Sequence, residues 1–238
     1  MNAHAHPQHQ PHVLDNPVWT ALTTRQSHLA EISALARRFP ADIGPIAGFA
    51  APTRAAYASL AELFAPGEIA AVCLEAPPDD LAPHWQLVEC APMLQMIWTE
   101  HPLPPPARDF VALTSADSPE MLALATLTKP GPFATRTHEL GDFIGIRSRE
   151  GQLAAMAGER MRAPGFTEVS AVCTHPDHLG HGYATGLMVE IMQRITARGE
   201  TPFLHVRSAN QRAIDLYHRL GYADRHLFQL TILKKLQV

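Results

Sequence analysis

Residues 166–187 read FTEVSAVCTHPDHLGHGYATGL: a strand-like run stopped by a proline, then a glycine loop, then a helix. Phe166–Thr174 reads as the strand, and Pro176 both holds His175 extended and withholds a ladder donor, so the strand ends there. Gly180, Gly182 and Ala184 follow, after which Leu187, Met188, Ile191 and Ile195 mark one face of a helix closing at Arg198-Gly199. Glycines at such a place permit positive φ and let a ligand approach where a Cβ would stand in the way. The first amides of the helix have no intrahelical acceptor and lie at the positive end of its dipole, so together they can cradle a phosphate or pyrophosphate. A plain turn between strand and helix is the alternative.

Two other phosphate-binding patterns do not fit. Gly180-His181-Gly182 continues to Gly186, close to a dinucleotide fingerprint, but these glycines come six residues after the strand rather than at its end. No acid ends the next predicted strand, Phe203–Val206, since Glu200 precedes it. A P-loop needs Lys followed by Ser or Thr after its last glycine, and the chain has none there.

The rest of the chain supplies an α/β setting. Strands are expected at Ile69–Leu74, Trp85–Cys90, Phe110–Leu113, Phe143–Ile146, Leu153–Met161 and Phe203–Val206, with a helix near Pro119–Thr128. Leu29, Ile32, Ala36 and Phe39 recur at helical spacing, as do Tyr57, Leu60 and Phe64, and Met93–Trp98 reads as a further helical turn or two. The fold class is therefore a mixed central sheet flanked by helices. Residues 1–12 read as a flexible tail and 101–107 (HPLPPPA) as a stiff linker, leaving an accessory α/β segment at 13–100 and a second unit at 108–238. His4, His6, His9 and His12 in the tail are irregularly spaced and lack Cys or carboxylate partners, so no metal site is expected.

Composition narrows the function. The longest apolar run is six residues, Ile69–Leu74, against the roughly 20 needed to span a bilayer, so no membrane partner is expected. Net charge is −4, which argues against a general nucleic-acid footprint. Three widely spaced cysteines and the lack of a secretion-type N-terminus fit a cytoplasmic protein with reduced thiols. A small-molecule site is the expectation.

At this point the chain resembles a known family. Val172-x-x-x-Pro176, Leu179-Gly180-His181-Gly182-Tyr183-Ala184 and Asn210-x-x-Ala213-x-x-Leu216-Tyr217-x-x-Leu220-Gly221-Tyr222 are similar to motifs of the GNAT superfamily of acyl-CoA-dependent N-acetyltransferases, in the same order, across about residues 108–238. The resemblance implies that Val172, Cys173 and Thr174 meet the pantetheine arm of acetyl-CoA, where the strand splays from its neighbour. It likewise implies that Leu179, Gly180, His181, Gly182, Tyr183, Ala184 and Thr185 hold the pyrophosphate, with Asn210 and Ala213 nearby. Leu179 stands where the family usually has Arg or Gln, and His181 where a basic residue is common, so cationic help depends on histidine protonation. The N-terminal segment reads, on the same resemblance, as a degenerate second copy of the fold that walls the acceptor cleft or makes a homodimer contact.

Transfer to an amine needs a proton acceptor, stabilisation of the carbonyl oxygen and a proton for the departing sulfur. The resemblance makes Tyr217 the acid, although a core tyrosine on an amphipathic helix would look the same. Glu168 and His205 compete for the base: Glu168 lies four residues before Val172 and, without a bulge, faces the same side, while His205 sits on the next predicted strand. Either could equally be a satisfied structural residue. Backbone amides near Val172 and Cys173 are the natural oxyanion donors, especially with a β-bulge there. Cys173 lacks an evident thiolate-stabilising neighbour, which disfavours an acyl-enzyme. The acceptor, a small molecule or peptide amine, is walled by Pro119–Thr128 and the loop Lys129–Leu140. A catalytically inactive acyl-CoA-binding regulatory or structural protein is the alternative, and a plain interaction domain is a third reading.

Overall fold

The computed structural model describes residues 12–99, 101–104 and 110–237. His4, His6 and His9 of the tail, and residues 105–107 of the proline run, lie outside the described residues. Helix α1 (Pro17–Thr23) is followed by three short strands, β1 (Glu31–Ile32), β2 (Ala36–Arg38) and β3 (Ala47–Phe49), then by α2 (Arg54–Ala61), β4 (Ile69–Leu74) and β5 (Trp85–Trp98). After the proline run come β6 (Val111–Leu113), α3 (Ser118–Thr128), β7 (Phe143–Arg147), β8 (Leu153–Ala163), β9 (Phe166–Thr174), α4 (Tyr183–Ala197), β10 (Thr201–Arg207), α5 (Gln211–Arg219) and β11 (Tyr222–Lys235).

Strands β1 to β3 form a small sheet, and the other eight form one sheet in the order β4-β11-β5-β10-β9-β8-β7-β6. Strands on both sides of the proline run therefore share a sheet, with β5 paired antiparallel to β10 on one side and to β11 on the other. Expected helical turns at Met93–Trp98 are instead the second half of β5. A central strand is covered on both faces and can be apolar at successive positions, so Leu94, Met96 and Trp98 pack with the α4 side while Ile97 packs with the α1 side.

The expected helix through Leu29, Ile32, Ala36 and Phe39 is absent. A 3-10 turn at Ser27–Leu29 leads into the β1–β2 hairpin, in which Glu31 and Arg38 face each other and form an ion pair. Ile32 is 57% exposed, so the four apolar residues never share a buried face. Ser33 and Ser59 hydroxyls bond each other at 2.6 Å, and Leu35 N donates to Ser59 Oγ at 2.8 Å, tying the hairpin to α2. Tertiary pairing overrides local spacing here.

Helix α4 covers one face of the large sheet, where Leu187, Met188, Ile191 and Ile195 pack on Ile144, Ala157, Val169 and Leu204. The opposite face carries α1, with Val18 and Leu22 packed among Met161 and Phe203, and α3, with Met121 and Leu124 against Phe143 and Met156. Gly158 pairs directly with Phe143 across β7 and β8. A Cβ at 158 would stand 2.3 Å from the Phe143 ring, so the ring fills the space a side chain would need. Gly158→Ala is expected to cost about 1–3 kcal/mol by overpacking, read as a lower urea midpoint at unchanged slope; an unchanged midpoint would contradict this packing.

Candidate active site

The gap that organises the site opens between the one parallel pair of neighbours in the large sheet. Strands β9 and β10 pair only over Phe166–Glu168 and Thr201–Phe203. Beyond that point β9 keeps β8 as its partner and β10 keeps β5, so two backbone edges diverge. Between Met156/Cys173 and Gly158/Ser170 the β8–β9 register slips, and Ala171 takes φ 53°. An alanine at positive φ is strained and persists because the ladder on either side holds it. This is the β-bulge anticipated at Val172 and Cys173, and it reverses the alternation. Val172 packs with the α4 face, whereas Glu168 bonds Met161 N on the α1 face, so the two do not share a side.

At the α4 face the glycine loop is built as its spacing suggests. Gly180 and Gly182 have φ 82° and 71°, and a Cβ at either would meet nothing within 4 Å. The intrahelical ladder begins with Gly186 N donating to Gly182 O at 3.1 Å, so the Ala184 and Thr185 amides belong to the unladdered first turn. A cavity of about 950 Å³ starts here and runs through the β9–β10 gap to the α1 face. Among its lining residues are Val172, Cys173, Thr174, Leu179, Gly180, Gly182, Tyr183, Ala184 and Thr185, together with Asn210, Ala213 and Tyr217. The structure thus brings the residues selected for the coenzyme together with Tyr217, with one exception among them. His181 is not part of the lining; its ring lies 5.5 Å from that of Tyr183.

Helix α5 brings Tyr217 to this cavity. Asn210 caps the helix by accepting from Ala213 N at 3.2 Å and also lines the cavity. Burial raises the Tyr217 phenol above its ordinary value and keeps it protonated. Its ring meets Tyr222 edge to face at 6.0 Å.

The proposed bases sit in a different environment from the one the sequence suggests. Glu168 is fully buried, and Arg160 grips its carboxylate through Nε at 2.8 Å and Nη2 at 2.6 Å. His205 Nδ1 lies 2.7 Å from Oε1, and Met161 N donates to Oε2 at 3.3 Å. Burial acts to raise this carboxyl, but the Arg160 and His205 contacts outweigh it and hold the pKa at about 2. On the other side of His205, Nε2 is 3.0 Å from Gln95 Nε2. Arg225 can only donate, and it donates to Gln95 Oε1 at 2.7 Å, which makes Gln95 Nε2 the donor toward both Leu14 O and His205. The His205 proton therefore sits on Nδ1, facing Glu168. His205 lines the cavity and Glu168 stands behind it, and the hydrogen-bonding atoms of both are engaged by protein partners in this arrangement. Arg160, Gln95 and Arg225 were not picked out from the sequence. The local signal for Arg160 was the charged cluster Glu159, Arg160 and Arg162 in the second half of β8, after an apolar start.

Two of the thiols are held in their neutral form by burial. Burial pushes Cys173 up to about 11 and Cys73 up to about 12. Among the described residues no group of three or more His, Cys, Asp or Glu is placed to hold a metal, and no helix is long and apolar enough to cross a membrane.

Comparison with known proteins follows the same geometry. The family model described as FR47-like protein matches residues 143–229. A GNAT-family protein from Novosphingobium aromaticivorans DSM 12444 superposes with a TM-score of 0.86 at 41% sequence identity, covering 95% of this chain and 100% of that one. A GCN5-related N-acetyltransferase from Kribbella flavida gives a TM-score of 0.59 at 16% identity, covering 93% and 94%, a likeness of fold. A search of curated proteins gives no match.

Proposed function

Because this chain belongs to the GNAT family of acetyltransferases, we propose that it transfers the acetyl group of acetyl-CoA to a primary amine by direct attack in a ternary complex. The observation that carries the reading is the continuous cavity joining the α4 glycine loop, the β9–β10 gap and Tyr217. The unladdered amides at the start of α4, with positive-φ glycines that leave the approach open, suit a diphosphate. The exposed edges of β9 and β10 suit the amide-bearing arm of the coenzyme, which would bring the thioester to the bulge at Ala171. The backbone amide of Val172, at the bulge, is then the group at hand to receive the carbonyl oxygen as it gains charge, since the Cys173 amide faces β8.

In the transfer the amine nitrogen bonds to the carbonyl carbon, the carbon–sulfur bond breaks, and the sulfur leaves with the electron pair. Tyr217 delivers a proton to that sulfur, and the proton lost by nitrogen goes to water in the open cavity. With Glu168 and His205 both engaged by protein partners, the amine has to arrive neutral. The ascending limb of the pH dependence of kcat/KM is therefore expected to follow the pKa of the acceptor, moving when a less basic amine is used. A limb fixed at one pH for every acceptor would point to an enzyme base instead.

Two measurements test the reading. A coenzyme bound only by the folded state stabilises it by about 2.7 kcal/mol at 100 times its dissociation constant, so acetyl-CoA should raise Tm, and amines should then release free thiol. A shift without thiol release under any amine would favour the inactive acyl-CoA-binding alternative. No shift at all would leave only an interaction domain.

A further inference from the structure

The half of the cavity on the α1 face has a lining that selects for a particular kind of amine. Register places Cys73 opposite Leu230 and Ala71 opposite Ile232, so these side chains share a face, and Met93 joins them beside Phe228. Together with Val18 and Ile46 above them, they make an apolar chamber. Among the described residues, the Lys, Arg, Asp and Glu side chains around the cavity are Lys129, Arg160, Arg207, Arg212 and Arg219, with no Asp or Glu. Arg212 and Arg219 stand on α5, in the half that suits the coenzyme, and Arg207 is held by Glu89. Two cations remain for the chamber.

Both belong to one corner. Arg160 uses Nε and Nη2 on Glu168, while its Nη1 makes no hydrogen bond among the described residues. That atom would be 3.8 Å from a Cβ at Gly131, which places it under the loop Lys129–Pro132. Lys129 opens the loop in the left-handed region at φ 52° and makes no ion pair among the described residues. Prolines at 130 and 132 stiffen the segment between them. The bidentate grip on Glu168 fixes the guanidinium plane, so the free edge of Arg160 is a preset donor and not a mobile surface charge.

We propose that the acceptor is an apolar amino acid, whose carboxylate is received by Arg160 and Lys129, whose side chain fills the apolar chamber and whose amine faces the β9–β10 gap. The proposal rests on the acyl-transfer reading above and specifies its substrate. A polyamine carries further positive charge and would meet cations with no carboxylate to offset them. The carboxylate-free lining also disfavours the ammonium form, which suits a site whose candidate bases are engaged by protein partners.

The test measures acetyl-CoA binding first, by the rise in Tm, and then thiol release with leucine, methionine and phenylalanine, with their primary amides, and with spermidine. Arg160 is unsuited to substitution because its loss strands Glu168, so the variant is Lys129→Met. The expected result is turnover of the free amino acids with KM at least about tenfold below that of the amides, and a KM for the amino acid raised several-fold in Lys129→Met while that for the amide stays unchanged. With a Tm rise in hand, amides or spermidine used as well as the acids, or no turnover of any amino acid, overturns the proposal and leaves coenzyme binding standing. No Tm rise removes the acyl-transfer reading and this proposal with it.

Discussion

Tyr217→Phe is expected to lower kcat by about 100-fold or more while the dissociation constant of acetyl-CoA changes by less than about twofold, since general acid catalysis contributes about 10²–10⁴-fold. The substitution removes one oxygen and keeps the ring that meets Tyr222, so the packing of α5 on β11 survives. Without the phenol the sulfur must leave as a thiolate or find a proton in solvent. Burial raises the Tyr217 pKa, so the wild-type acid stays protonated across the neutral range and should not itself impose a limb near pH 7. Steady-state kinetics, with coenzyme binding measured separately by calorimetry, separates the two quantities. A variant retaining more than half of wild-type kcat would remove Tyr217 from the chemistry.

A second large effect is expected on stability. Glu168→Ala should cost about 3–5 kcal/mol in urea unfolding, because it leaves Arg160 buried without its counter-ion and His205 Nδ1 without an acceptor. The carboxyl is held at about 2 in the folded protein, below its ordinary value, so its contribution is fully present above about pH 4.5. It fades as pH falls from there toward 2. The variant should accordingly be less sensitive than wild type to acid over that window. A loss under about 1 kcal/mol, with an unchanged acid profile, would mean the pair contributes little beyond shape. Any fall in activity of this variant then has to be read alongside its stability, since Glu168 holds other residues in place.

Local signals carried well from sequence to structure. Pro176, Gly180, Gly182 and the apolar stripe of α4 each act within a few residues, and the loop they predict is the loop observed. What escaped depends on partners distant in the chain. Gln95 meets His205 across 110 residues and Arg225 across 130, so nothing near His205 in sequence shows that its second nitrogen is engaged. The face that Glu168 occupies escaped for a related reason. Its spacing from Val172 implies a shared face only along an unbroken strand, and the bulge at Ala171 is set by pairing with β8, which no residue type announces. The stretch from Leu29 to Phe39 shows the converse error, in which helical spacing arose among residues that the chain sends to different surroundings, Ile32 to solvent and Ala36 and Phe39 to separate buried clusters.

Strand β5 comes from the first half of the chain yet lies between β10 and β11, the last two strands to be synthesised. Until the C-terminal residues leave the ribosome, one flank of β5 stays unpaired, and the early part of the protein has to wait with that edge open. Closing the sheet then joins residues more than 100 positions apart, a long-range step that slows folding.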